Sequence, residues 1–98
     1  MNNIQILGNM TKDCELKYAQ SGTAIGSFGI AVNKKIKNQS GGYDDKAMFF
    51  DITAFGKTAE NINKLFNKGS RILISGELDF QQWEKDGQKR SKNAIVCH

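Results

Sequence analysis

Apolar residues along this chain recur with a period of two through most of its length and with a helical period only once. Ala24, Gly26, Phe28, Ile30 and Val32 alternate with other residues, as do Ile72, Ile74, Gly76, Leu78 and Phe80. In an extended chain such a series lies on one face. The pattern predicts strands over Ile4–Gly8, Ala24–Val32, Ala47–Phe55 and Arg71–Phe80, and a fifth beginning at Asn93–Cys97, with Glu15–Tyr18 also extended. Gly26 and Gly29 inside the second strand predict strong bending, as at a barrel corner. In the third strand Met48, Phe50, Ile52 and Ala54 form a core face, while Phe49, Asp51, Thr53 and Phe55 form a wet one. Two aromatic rings on a wet face require a reason, and stacking on a flat ligand is one.

The single helical stripe is Ala59, Ile62, Leu65 and Phe66, which predicts a helix over Lys57–Asn67 ended by Gly69. Ser40-Gly41-Gly42 and Asp86-Gly87 mark two hairpin tips. Three strands, one helix and two strands is the order of the OB-fold, so the predicted class is all-β: a five-stranded, partly open Greek-key barrel with its helix between strands 3 and 4. The 98 residues make one domain spanning 1–98, with a modest core that association into an oligomer would help to stabilise.

Charge sharpens this picture. The formal net charge is +4, and it sits in two stretches. KKIKNQSGGYDDK (34–46) and EKDGQKRSK (84–92) each carry four cations against two carboxylates, while the remaining residues balance. Tyr43, Phe49, Phe50 and Phe55 adjoin the first stretch, and Phe80 and Trp83 the second. Cations follow a phosphate backbone and rings stack on bases, so the combination points to single-stranded nucleic acid. The other reading is two solvated hairpins flanked by core aromatics. Trp83 either stacks or caps the barrel, and Phe49 and Phe55 either stack or pack. Phe80 shares its strand face with Leu78 and Ile74, which favours the core over contact.

Catalytic chemistry finds little support. Gly56-Lys57-Thr58 looks like the end of a phosphate-binding loop, but Asp51 stands where that motif needs its first Gly, so these residues read as a strand-to-helix corner. There is no GxSxG, and the one His, His98, is terminal. Cys14 and Cys97 lie far apart without a zinc-ligand pattern. The expectation is no enzyme, no metal, no cofactor and two free thiols. No apolar run is long enough to span a membrane, and MNNIQILGN has no secretory pattern, so a cytoplasmic location is expected.

Read together, MNNIQILGNMTKDCELKY, SGTAIGSFGIAVNK, FFDITAFGKTAENINKLFNKGSRILISGEL and the Trp83 hairpin with its DGQKR tip resemble, in order, the bacterial single-stranded DNA-binding protein family and its phage relatives. The resemblance implies a homotetramer of OB-folds that coats single-stranded DNA without reading its sequence, in replication, recombination and repair, in the nucleoid. It implies base-stacking positions at Phe49, Phe55 and Trp83 and basic positions at Lys57 and Lys68. Lys34, Lys35, Lys37, Lys46, Lys89, Arg90 and Lys92 correspond in kind to the family's basic hairpins, with Ile36, Tyr43 and Phe80 as secondary contact candidates. It also implies assembly through the first strand, at Ile4, Gln5, Ile6, Leu7 and Gly8. Ile36 stands where the family usually has a third aromatic, Asp79, Gln81 and Gln82 stand in a stretch often rich in Arg or Lys, and Cys14 replaces a common Pro. The acidic C-terminal tail through which the family recruits replication and repair proteins is not among these residues. Two other roles for the fold stay open: an adaptor that mainly binds protein, of the primosome type, and RNA binding.

Overall fold

In a computed structural model of the protein, which describes the backbone throughout and all side chains except those of Gln81 and residues 90–93, the chain forms six strands and one helix. They are β1 (Ile4–Met10), β2 (Glu15–Tyr18), β3 (Ala24–Lys37), β4 (Tyr43–Phe55), α1 (Gly56–Leu65), β5 (Arg71–Lys85) and β6 (Gln88–Cys97). The sheet runs β1-β5-β6-β4-β3-β2, and an extra β1–β3 pairing, Asn9 with Ala31 and Met10 with Ile30, brings its far ends together. Five strands therefore make a closed barrel rather than a partly open one, and β2 is an added strand paired only with β3.

The interior follows the alternation predicted for it. Ile6, Met10, Ala24, Phe28, Ile30, Ile52, Ala54, Ile72, Ile74 and Ile95 are buried, joined from the helix by Ala59 and Ile62. No polar or charged side chain is buried among the described residues, so hydrophobic burial dominates the core. Glycine enters where elements come closest. A Cβ on Gly8 would meet the Ala31 carbonyl oxygen and the Ile30 side chain, and one on Gly76 would meet the Val96 carbonyl. Gly26 leaves room for Cys14 and Ala59, and Gly29 for Thr11. The β3–β4 register passes both of these glycines without a bulge, and both serve close approach.

Strand lengths are the main departure from the pattern. β3 and β4 stay paired from Ile25 with Phe55 out to Lys37 with Tyr43, and β5 and β6 from Gly76 with Cys97 out to Lys85 with Gln88. The two basic stretches are thus mostly β-ladder, not loop. Backbone pairing continues where apolar alternation stops, because a ladder's hydrogen bonds do not depend on which side chains it carries. These arms raise the radius of gyration to 15.6 Å, against about 13 Å for a compact chain of this length.

Both tips are well defined. Asn38 accepts hydrogen bonds at Oδ1 from the Ser40 amide (3.1 Å), the Ser40 hydroxyl (2.9 Å) and the Gly42 amide (2.9 Å), and donates to Asp44 (3.1 Å). Asp86 and Gly87, with φ of 53° and 76°, make the tight turn their sequence predicts.

The helix is shorter than its stripe suggests. It stops at Leu65, Phe66 is extended (φ −124°), and Leu65 is 68% exposed. Gly69 does not cap it. With φ +91°, Gly69 turns the next segment so that its amide donates to the Met10 carbonyl (2.8 Å), beside a bond from the Met10 amide to the Ser70 carbonyl (2.8 Å). A tertiary tie to β1 takes the place of helix continuation.

Cys14 and Cys97 are free and buried. Burial pushes both thiols up; at Cys14 a backbone hydrogen bond from Ser27 pulls the other way. Raised thiols contribute stability that is present below their unfolded pKa and is lost as pH rises through the folded one. Urea midpoints are therefore expected to fall as pH rises past about 8.5; a midpoint that climbs between pH 8 and 10 would contradict this. Gly26→Ala is expected to cost about 1–3 kcal/mol by overpacking against Cys14 Sγ (2.8 Å from the added Cβ) and Ala59 Cβ (3.1 Å). Leu65→Ala should stay within about 0.5 kcal/mol, and chemical denaturation measures both.

Candidate nucleic-acid interface

The register assigns every residue of the arms to one of two faces. Gly29 pairs with Asp51, Asp51 with Ala94, and Ala94 with Asp79, which makes one transverse row on the outside of the barrel. Phe49 lies two residues from this row towards the arm tips, and Phe55 four residues away towards the barrel body. Trp83 lies four residues out along β5, again towards the tips. At about 3.3 Å per residue these offsets are roughly 7 and 13 Å. All three rings share one outer face, and all are exposed: Phe49 by 69%, Phe55 by 46% and Trp83 by 43%. Trp83 does not cap the barrel, and neither Phe is in the core.

Polar and cationic groups surround the rings. On the outer face the β3–β4 arm adds Lys35 opposite Asp45 and Lys37 opposite Tyr43, whose ring is exposed. Lys34 sits opposite Lys46 on the other face of that arm, with Ile36 next to them. Lys89 is exposed near the β5–β6 tip, and Lys57 and Lys68 are exposed at the start of α1 and after its end. Arg90 and Lys92, also predicted contacts, lie outside the described side chains, as does Gln81. The cations thus divide between two faces and the helix rather than forming one stripe.

Phe80 corrects the sequence reading. It was expected in the core, yet it is 59% exposed, and Leu78 before it is also exposed. Both stay on the core side of β5, but β1 pairs with β5 only as far as Gly76, so beyond that residue they lie on a stretch of strand that β1 no longer flanks.

The predicted assembly strand divides in the same way. Ile6 and Gly8 face the interior and Ile4 is half-buried, so the outward side chains of Ile4–Gly8 are Gln5 and Leu7. Leu7 pairs across the ladder with Leu73, and both are exposed. Leu73 is the residue that strand periodicity alone could have flagged, since it is apolar among Arg71, Ser75, Glu77 and Asp79 on the alternate face of its strand.

The profile of the single-strand binding protein family matches residues 1–98. The chain belongs to that family. A single-stranded DNA-binding protein of Wolinella succinogenes is 44% identical over 97 residues, covering 98% of this chain and 60% of that protein. One from Aquifex aeolicus is 40% identical, covering 99% and 66%. The chain spans about three-fifths of the length of the curated family relatives it matches. Among solved structures, a Plasmodium falciparum SSB complex with ssDNA superposes with a TM-score of 0.90 at 20% identity, covering 99% of this chain and 86% of that one, which shows the shared fold. A deletion mutant of the Thermus aquaticus single-stranded DNA binding protein gives 0.83 at 28% identity, covering 99% and 47%.

Exposure on a shared face makes a prediction that does not depend on the ligand. Acrylamide should quench Trp83 fluorescence readily in the folded protein; quenching that appears only after unfolding would contradict the exposed indole.

Proposed function

We propose that this domain binds single-stranded DNA without sequence readout, by stacking bases on Phe49, Phe55 and Trp83 and neutralising phosphates with the lysines of the arms and helix. The observation that carries the reading is the alignment of three exposed rings on one continuous sheet face. Open aromatic faces are sequence-tolerant because every base has a π surface. The contacts named for phosphate are Lys34, Lys35, Lys37, Lys46, Lys57, Lys68, Lys89, Arg90 and Lys92. Names of relatives in the family agree with the reading. The role is coating and protection in replication, recombination and repair, in the cytoplasm at the nucleoid, with no catalytic step.

The same reading includes a homotetramer. The exposed Leu7–Leu73 pair supports self-association through β1, where Ile4–Leu7 have a strand partner only on the β5 side among the described residues. Tethering several domains along one strand raises avidity through effective concentration. Replication and repair proteins are further partners of this proposal.

Oligo-dT is expected to quench Trp83 fluorescence, with an affinity that falls steeply with salt, at a slope of roughly −0.7 per phosphate contact. Trp83→Ala and Phe49→Ala should each weaken binding by about 1–3 kcal/mol in mobility-shift titrations. No quench and no shift at low salt would defeat the proposal. Competition with RNA of equal length tests the RNA-binding alternative. Leu7→Arg should lower the mass seen by light scattering, and an unchanged mass would remove the β1 interface.

A further inference from the structure

Trp83 and Phe80 stand three residues apart on β5, and the β5–β6 register runs unbroken through both. Alternation therefore turns them to opposite faces of the hairpin. Trp83 belongs to the outer face. Phe80 follows Ile72, Ile74, Gly76 and Leu78, and Leu78 pairs with Ile95, which is fully buried, so Phe80 extends the core-side face beyond the barrel.

The neighbouring arm presents a matching surface on that side. Lys34 is the direct cross-strand partner of Lys46, and like charges in that position repel. Neither has a carboxylate within ion-pair distance among the described residues. The acidic residue nearest on the same face, Asp44, already accepts a hydrogen bond from Asn38 (3.1 Å). An anion between the two ammonium groups would relieve the repulsion. From the transverse row of Ile52, Ile95 and Leu78, Phe80 lies about 7 Å out and Lys46 about 20 Å out, on strands two spacings or about 10 Å apart.

A path connects the two faces. β4 and β6 pair only over Asp51–Ala54 and Ala94–Cys97. Before those residues both strands continue, in the same direction, as arms with no pairing between them. No ladder therefore closes the way between the two arms from the outer face to the core-side face.

We propose that single-stranded DNA lying on the outer rings passes between the two arms, and that its continuation stacks a base on Phe80 and sets a phosphate between Lys34 and Lys46. The inference rests on the DNA-binding reading above and adds a second face to it. Charge complementarity and continuity with the outer face favour DNA over a second protein copy as the occupant.

The test titrates wild-type protein, Phe80→Ala, Phe80→Tyr and the double variant Lys34→Ala/Lys46→Ala with an oligo-dT length series, read by Trp83 quenching and light scattering. Short oligomers should bind Phe80→Ala as they bind wild type. Beyond a threshold length Phe80→Ala should bind roughly 5- to 150-fold more weakly, the range expected for one stacked base, while Phe80→Tyr retains wild-type affinity. The double Lys variant should flatten the salt slope only above the same threshold. Curves for Phe80→Ala that overlay wild type at every length, or that weaken equally at every length, would overturn the two-face path. So would a fall in mass with DNA affinity unchanged, since Phe80 would then serve self-association. A wild-type protein that binds no oligomer of any length would instead defeat the DNA-binding reading itself.

Discussion

The parallel ladder of Asp51–Ala54 against Ala94–Cys97 is the contact on which the rest of the arrangement depends. Every other strand pair is antiparallel, and three of those pairs are neighbours in sequence joined by a turn or short loop. A parallel pair cannot be closed by a tight turn, so the chain makes a long excursion through α1 and β5 before β6 returns beside β4. Because β4 and β6 run the same way, the hairpins they belong to leave the barrel from the same end. Antiparallel pairing at this join would send the arms to opposite ends and separate Trp83 from Phe49 and Phe55.

Closure at the other seam is slighter and depends on small residues. Only two pairs join β1 to β3, and Gly8 lets the backbones meet where any Cβ would strike Ala31 and Ile30. With both seams shut, the inward positions fill with Ile, Ala and Phe28, and the outward positions of the same strands are left on an open sheet face. Antiparallel sheets commonly keep one face in water. Large rings there gain nothing for the core, which is why their presence on that face carries functional weight.

Strand alternation also governs the electrostatics. Lys34 and Lys35, consecutive in sequence, do not fall on one face. Lys35 and Lys37 accompany the outer rings, while Lys34 and Lys46 face the other way. A basic stretch that reads in sequence as a single cationic loop is, as a β-ladder, a cation source for two faces. The β3–β4 arm thus presents positive charge on both of its faces.

From the residues alone, the existence of each strand, the helix, both tips, the inward face of β4 and the outward placing of Phe49 and Phe55 could be read, because period-two alternation and turn chemistry are local. The place of Trp83 stayed open between stacking and capping the barrel. The order of elements was enough for an OB-fold. What local pattern could not supply was where pairing ends. The arms continue as ladder through residues whose side chains carry no alternation, since backbone hydrogen bonding sustains them. Phe80 keeps the correct strand face yet lies outside, because burial depends on how far the barrel extends and not on periodicity. Leu65 and Gly69 misled for a related reason, as a tie between the Gly69–Ser70 segment and Met10 ends the helical run and redirects the chain. Which rings share a surface, and on which side of an arm each lysine falls relative to them, were decided only when β6 paired with β4, for that pairing joins residues more than forty positions apart in the chain.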